Sequence, residues 1–329
     1  MAGKSPIFID GATIQTLLPY KSLITHFQTS LPFATSSIQS PLRHSHPTSS
    51  SSTLLLMPSW STSSSSSSSL PYIGVKLVTT HPDNNLINLP GVHATYVLFS
   101  SVTGQNLASM DGTELTLRRT ACVSALASSY LSNENSKKMI MVGAGALGPH
   151  LVRAHLTTRP GIRNVMIWNR NLGKAKNLVE KMGSEGMEGV RFEMCEDLEM
   201  GVRGADVVTC ATNSEKALVL GKWLKDGAHL DLVGSYKPSM RECDDEAIRR
   251  GRVFVDNEAA KVEAGELVGA FERGVMKEDE VEGDLVELIK GVKSGRKDEK
   301  EITVFVSVGS AVVDLLSAQL AYETITAKP

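Results

Sequence analysis

The feature that most constrains this chain is Gly143-Ala144-Gly145-Ala146-Leu147-Gly148, which follows the apolar run Met139-Ile140-Met141-Val142 and precedes a stretch of helical character. Each glycine has its own physical reason. Gly143 permits a tight turn, Gly145 lets the main chain approach a pyrophosphate, and Gly148 lets helix and strand pack closely, while the helix N-terminus presents unpaired N–H groups to the anion. Pro149 falls in the first helical turn, where a missing N–H costs little. Glycine-rich turns occur in many loops. This one is informative because a second strand, Val165-Met166-Ile167-Trp168, follows about 20 residues on, in the spacing of a dinucleotide-binding unit.

The alternation continues downstream. Asp206-Val207-Val208-Thr209, Leu230-Asp231-Leu232-Val233 and Val253-Phe254-Val255 are short buried-type strands separated by helical stretches, and they predict an α/β fold with a doubly wound parallel Rossmann sheet. The second strand ends in Trp168-Asn169-Arg170-Asn171. An NAD enzyme places a carboxylate near this point to bind the ribose 2′-hydroxyl, whereas an amide and a guanidinium favour the 2′-phosphate of NADP. The expected cofactor is therefore NADPH, with NADH weaker, held by Gly143, Ala144, Gly145, Ala146, Leu147, Asn169, Arg170 and Thr212. The competing reading of Arg170 is a solvated charge at a strand end.

The N-terminal third follows a different pattern. Leu54 to Pro58, Tyr72 to Val78 and His93 to Ser101 are β-branched, aromatic or aliphatic runs bounded by Pro, Gly and Ser, which predicts a twisted antiparallel sheet. A short strand over Leu107 to Met110, a turn at Asp111-Gly112 and a packed helix over Ala121 to Leu131 follow. The tract Ser59 to Ser69 cannot bury enough apolar surface to order itself and reads as a loop tip between two strands. Ala311 to Tyr322 reads as an amphipathic helix.

Composition narrows the ligand. With 34 basic and 36 acidic side chains the net charge is −2, so no global field favours nucleic acid or an anionic membrane, and a small molecule is the better expectation. Cys122, Cys195, Cys210 and Cys243 lie far apart with no C-x-x-C pair, and the eight histidines show no ligand spacing, which argues against a metal site and a disulfide scaffold. No apolar run approaches the length of a membrane span.

Several segments carry a resemblance. Met110-Asp111-Gly112 and Arg118-Arg119-Thr120-Ala121-Cys122-Val123-Ser124-Ala125, Gly74-Val75-Lys76-Leu77-Val78, Gly143-Ala144-Gly145, Trp168-Asn169-Arg170, Gly227-Ala228-His229-Leu230-Asp231-Leu232-Val233-Gly234-Ser235 and Thr303-Val304-Phe305 are similar to the ornithine cyclodeaminase/mu-crystallin family. The likeness spans nearly the whole chain. Leu54-Leu55-Leu56-Met57-Pro58-Ser59-Trp60, the serine-rich tip, Glu242-Cys243-Asp244-Asp245 and the segment Gly265 to Gly274 resemble its plant, pipecolate-forming branch.

The resemblance implies that residues 1–120 and 311–329 form a mixed α+β substrate-binding and dimerisation domain, the last helix returning to the N-terminal part, and that 121–310 form the coenzyme domain. It implies a homodimer joined through the N-terminal sheets. The implied activity is NADPH-dependent reduction of a cyclic ketimine carboxylate, Δ1-piperideine-2-carboxylate or its 2,3-dehydropipecolate tautomer, to pipecolate, in lysine catabolism and plant systemic acquired resistance. A plastid is the implied compartment and the cytosol the alternative. The stretch up to Pro82 contains few acids, as transit peptides do, but Ile7-Phe8-Ile9-Asp10 looks like the family's first strand, so little or no cleavable leader is expected.

Carried over by the resemblance, Arg43, Lys76 and Arg119 are substrate-pocket cations, Lys76 and Arg119 also catalytic. The chemistry is consistent: guanidinium groups hold a carboxylate by paired charge-assisted bonds, and an ammonium near a ring nitrogen keeps a proton available to the imine. Each has a plainer reading. Lys76 resembles a strand lysine lifting its charge into solvent at a sheet edge, Arg119 a surface partner of Glu114, and Arg43 a solvated neighbour of His44 and His46.

Two departures from the family pattern stand out. Cyclodeaminases carry an Asp just after Val-Gly-x, whereas Val233-Gly234-Ser235 is followed by Tyr236, and the common Phe-Lys-Ser is Phe305-Val306-Ser307. Ornithine cyclodeaminase, and a crystallin-like protein that holds NADPH without turnover, are the alternatives.

Overall fold

The computed structural model describes residues 5–61, 71–87 and 89–327, and the chain divides into two units, Met1–Arg119 with Ser310–Pro329, and Thr120–Gly309. The first unit runs β1 (Ile7–Ile9), α1 (Gly11–Leu17), α2 (Tyr20–Ser37), β2 (Ile38–Gln39), β3 (His44–Pro47), β4 (Thr53–Ser61), β5 (Tyr72–Thr80), β6 (Val92–Ser100) and β7 (Asn106–Asp111), after which α3 (Gly112–Leu131) carries the chain into the second unit. There follow β8 (Lys138–Val142), α4 (Gly148–Thr158), β9 (Asn164–Trp168), α5 (Leu172–Ser184), β10 (Arg191–Met194), α6 (Leu198–Gly204), β11 (Val207–Cys210), β12 (His229–Leu232), α7 (Asp245–Arg250), β13 (Gly251–Val255), α8 (Ala260–Glu263), α9 (Gly265–Glu272), β14 (Gly283–Asp284), α10 (Leu285–Ile289) and β15 (Ile302–Val306). The last helix, α11 (Ala311–Thr326), belongs to the first unit.

Among the described residues the first sheet has the order β1-β7-β6-β5-β4-β2, with β3 also on β4. It is antiparallel except for β1, which runs parallel to β7, so the sheet is mixed where the sequence predicts an antiparallel one. Between β1 and β2 the chain forms two helices, α1 and α2. Asp10 starts α1 by accepting the Thr13 N–H at 2.7 Å, and Leu23, Ile24, Phe27, Leu31 and Ala34 recur at helical spacing on the buried side of α2.

The expected turn at Asp111-Gly112 is a helix start. Asp111 Oδ1 accepts the N–H groups of Thr113 and Glu114 at 2.9 Å each, so the helix begins at Gly112, well before the stretch from Ala121 that announced it. Ser59, Trp60 and Ser61 continue β4 rather than opening a loop, and the remainder of the expected serine-rich tip, residues 62–70, lies outside the described residues. The C-terminal helix is not amphipathic as expected. From Ala311 to Ala321 it is buried nearly all round, packed on β4, β5, β6, α1 and α2.

In β5, Tyr72, Gly74, Lys76, Val78 and Thr80 are buried while the alternate residues are half-exposed, the period-2 signature of one face turned to the core. Register aligns Ile9, Met110, Tyr96, Lys76 and Met57 in one row across five strands.

The second unit holds an all-parallel sheet, β10-β9-β8-β11-β12-β15-β13-β14, whose central strands are buried and mostly apolar, with Thr209, His229, Asp231 and Thr303 as buried polar exceptions. The strand order reverses between β8 and β11, the topological switch point at which doubly wound sheets bind ligands beyond the carboxyl ends of their strands. Among the described residues no helix is long and apolar enough to cross a membrane, and no three His, Cys, Asp or Glu side chains gather as metal ligands.

Candidate active site

The glycine turn sits at that switch point, between β8 and α4. Gly143 has φ +116°, and a Cβ there would lie 2.5 Å from the Ala211 carbonyl oxygen, so only glycine fits. A Cβ at Gly148 would meet the Gly143 carbonyl oxygen at 3.0 Å and Leu178 at 3.3 Å, the close helix packing expected of the third glycine. Gly145 differs. A Cβ there would meet nothing within 4 Å, so the protein itself does not require a glycine, and the open space lies where a pyrophosphate would approach. The N-cap of α4, Leu147, contributes no side-chain bond, which leaves the helix N-terminus uncapped by the chain. These features fit a dinucleotide.

Asn169, just past β9, accepts the Ala144 N–H at 3.1 Å and donates to the Asn171 carbonyl at 3.0 Å, tying the strand end to the glycine turn. Arg170 beside it is exposed, with no hydrogen bond or ion pair among the described residues. Thr212 follows β11, but its N–H and hydroxyl both donate to Glu242 Oε1, at 2.6 and 2.8 Å, and its Oγ1 accepts the Ser214 N–H. Glu242, quoted above only as a mark of resemblance, also accepts the Gly234 N–H at 2.7 Å and so joins the loops that follow β11 and β12. Burial pushes its carboxyl up to about 8, with the neighbouring Glu266 adding to the rise.

In the first unit Asp314, on α11, brings two of the expected cations together. Lys76 is 2% exposed on β5, a central strand between β4 and β6, so it is not an edge lysine reaching for water. Its Nζ lies 3.0 Å from Asp314 Oδ1 and 2.8 Å from Oδ2. Arg119, on α3, donates through Nε to the same Asp314 Oδ1 at 2.8 Å, while the partner of Glu114 is Arg118, at 2.8 Å. Arg43 is half-buried immediately before β3, and its charge reaches Lys76.

Burial pushes Lys76 down to about 7, and the Arg119 cation acts in the same direction; the Asp314 carboxylate partly offsets both, and Arg43 lowers it a little further. Burial likewise opposes the charge of Asp314, but Arg119 and Lys76 outweigh it and hold the carboxyl below its ordinary value. Tyr96, fully buried beside Lys76, is raised well above the usual phenol range by burial and then by the Asp314 charge. Its hydroxyl occupies the space of the absent Gly74 side chain, since a Cβ at Gly74 would lie 1.8 Å from it.

Asp314 and Tyr96 were not legible as site residues from motif spacing. The available signal for Asp314 was a lone carboxylate within Ala311-Val312-Val313-Asp314-Leu315-Leu316, where an otherwise apolar helix requires a buried partner for the charge. Val306, in place of the common lysine, is 1% exposed in β15, opposite Leu232 and Val255, and serves as core.

The chain resembles proteins of known description along its length. It is 53% identical over 320 residues, 97% of each chain, to Protein SAR DEFICIENT 4 of Arabidopsis thaliana. The solved structure of Thermococcus litoralis Δ1-pyrroline-2-carboxylate reductase in complex with NADH and L-proline superimposes with a TM-score of 0.90 at 30% identity, covering 97% of both chains. An archaeal alanine dehydrogenase dimer with bound NAD gives 0.88 at 27% identity over 98% of this chain and 97% of that one. Residues 9–329 match the model of one family. With its Rossmann unit and its mixed sheet, this chain belongs to the ornithine cyclodeaminase/mu-crystallin family.

Proposed function

We propose that the protein is an NADPH-dependent reductase of cyclic ketimine carboxylates, acting on Δ1-piperideine-2-carboxylate, or its 2,3-dehydropipecolate tautomer, to form pipecolate. The observation that carries this reading is the buried pair of cations, Lys76 and Arg119, gathered on one carboxylate, Asp314. Such a site suits a substrate that brings its own carboxylate and a nitrogen able to take a proton. The dihydronicotinamide, when bound, supplies a hydride to the C=N carbon. The chain's own residues provide the rest. Arg119, with Arg43, holds the carboxylate by charge-assisted bonds, and Lys76 keeps a proton available to the ring nitrogen, whose protonation makes the carbon a better hydride acceptor. Gly143 to Leu147 hold the pyrophosphate at the start of α4, and Asn169 fixes the turn. Thr212 serves here by shape, its polar groups being taken up by Glu242.

The six-membered ring follows from the resemblance to the plant branch, and the five-membered product in the Thermococcus enzyme makes Δ1-pyrroline-2-carboxylate the competing substrate. A function in plant systemic acquired resistance, within the plastid, is part of the same reading. So is a homodimer: Leu56, Trp60, Ile73, Val75, Leu77 and Phe99 leave the outer face of the first sheet apolar and half-exposed, and the alanine dehydrogenase relative is a dimer.

The deciding experiment supplies the purified protein with NADPH and each cyclic imine, and separately with NAD and L-ornithine. An ionised Asp can activate water near neutral pH, and the residue at the corresponding place here, Tyr236, carries no carboxylate to do so. Imine-dependent NADPH oxidation without proline or ammonia from ornithine is expected. Proline formation from ornithine with no imine reduction would make the protein a cyclodeaminase, and tight NADPH binding with neither reaction would make it a crystallin-like binder.

The coenzyme preference has its own test. Arg170→Ala removes the one cation at the end of β9 and is expected to weaken NADPH about tenfold or more, the loss of about one charge-assisted contact, while leaving NADH nearly unchanged. Isothermal titration with both coenzymes measures this, and equal losses would remove Arg170 from the phosphate site.

A further inference from the structure

Asp314 is an expensive residue to place where it stands. Its side chain has no exposure, and an isolated carboxylate in such surroundings is held only if cations compensate it. Two do so directly, and both meet Oδ1, with Lys76 Nζ also against Oδ2. The groups facing Lys76 come from four places: Asp314 on α11, Arg119 on α3, Arg43 ahead of β3 and Tyr96 on β6. The other titratable groups along α11 gather further on, where Glu323 accepts from Tyr72 at 3.0 Å and influences His26. One carboxylate therefore faces two contacting cations and the further charge of Arg43, so with Lys76 protonated the cluster carries a net positive charge.

We propose that Asp314 is a positioning residue for the reduction: it fixes Lys76 Nζ and Arg119 Nε against one oxygen and keeps the proton on Lys76 until the imine nitrogen takes it. This rests on the reductase reading above. A buried substrate carboxylate places a second negative charge near Lys76, which opposes burial and the guanidinium charges as Asp314 does. Binding of the anion therefore favours the protonated lysine, and substrate binding draws a proton from solvent. The step then balances: the C=N carbon gains hydride from the reduced nicotinamide, the nitrogen gains the Lys76 proton, the coenzyme leaves oxidised, and solvent reprotonates Lys76.

The test is Asp314→Asn, which keeps the shape and removes the charge. Burial and Arg119, which already push Lys76 down, then act without their counterweight. The limb of kcat/KM that falls as pH rises through the Lys76 titration is expected to move down by about one pH unit or more. At pH 7.5 kcat should fall by about tenfold or more, while KM changes little because Arg119 and Arg43 still bind the carboxylate. A folded Asn variant with the wild-type limb and kcat would overturn the proposal.

A readout without turnover separates this proposal from the reductase reading. In protein labelled with 15N-lysine, the ammonium signal absent from Lys76→Met reports Lys76, and in Asp314→Asn it should vanish at lower pH than in wild type. That shift in a protein that reduces no cyclic imine would support the Asp314–Lys76 coupling while the reductase reading fails, and no shift would sink the coupling itself. If the Asn variant does not fold, Asp314→Glu carries the test. It keeps the charge but displaces it by one methylene, so the limb should stay near its wild-type pH while kcat drops by about tenfold; an undiminished kcat would refute positioning.

Discussion

Arg119→Ala and Lys76→Ala are each expected to reduce kcat/KM for the cyclic imine by roughly 30- to 5,000-fold, the equivalent of about 2–5 kcal/mol for truncating one member of a buried hydrogen-bonded charge cluster. Both side chains are buried, so water cannot substitute for either. Coenzyme affinity should hold, because both residues belong to the first unit and the glycine turn to the second. Steady-state kinetics with a parallel NADPH titration reads the two quantities separately. If either variant kept near-normal kcat/KM, that cation would be structural. If NADPH binding collapsed as well, the loss would be one of folding.

The second large effect contrasts two glycines of one turn. Gly143→Ala forces a side chain into φ +116° and sets its Cβ 2.5 Å from the Ala211 carbonyl oxygen. Strain of this kind costs on the order of 1–3 kcal/mol, and the clash adds to it, so the melting temperature of the apoprotein should fall by several degrees, at about 2–4 °C per kcal/mol for a unit of this size. Gly145→Ala meets nothing within 4 Å and has no positive φ to lose. Its apoprotein should melt with the wild type, while its coenzyme affinity falls by about tenfold or more as the added methyl occupies the approach to the pyrophosphate. Calorimetry of both apoproteins with NADPH titration checks this. A Gly145→Ala variant that binds NADPH normally would place the pyrophosphate elsewhere.

The contrast also shows what was legible in the sequence. The Rossmann unit was readable because local rules and the global fold agree there: apolar runs of strand length, glycines where backbone conformation or close approach demands them, and a strand-turn-helix order. The strands Arg191–Met194 and Ile302–Val306 escaped for different reasons. The first carries alternate charges at a sheet edge, and the second was noticed only as a motif. In the first unit, β4 to β7 were readable from their apolar runs, but α1 and α2 were not, since polar residues dilute their periodicity.

The candidate site was legible in its cations and not in its anion. Lys76 and Arg119 lie in segments that resemble a family, whereas Asp314 reads as a polar residue in a helix. Spacing along the chain cannot announce a contact across 238 residues. The helix that carries Asp314 was expected to be amphipathic, whereas that residue and its neighbours in α11 are buried.

That sequence separation has a consequence for the order of synthesis. The sheet bearing Lys76 and the helix bearing Asp314 belong to one unit, yet the whole of Thr120–Gly309 is translated between them. At about 5–20 residues per second the ribosome needs roughly 10–50 s to deliver the counter-charge after the lysine has been made, long enough for the intervening unit to fold first. Until α11 arrives, the nascent sheet lacks the helix that packs on β4, β5 and β6 and brings the counter-charge to its lysine. The growing chain thus has a waiting period in which its earliest strands are the part most in need of a chaperone, and a nonsense codon between Asp111 and Ala311 leaves them without that helix permanently.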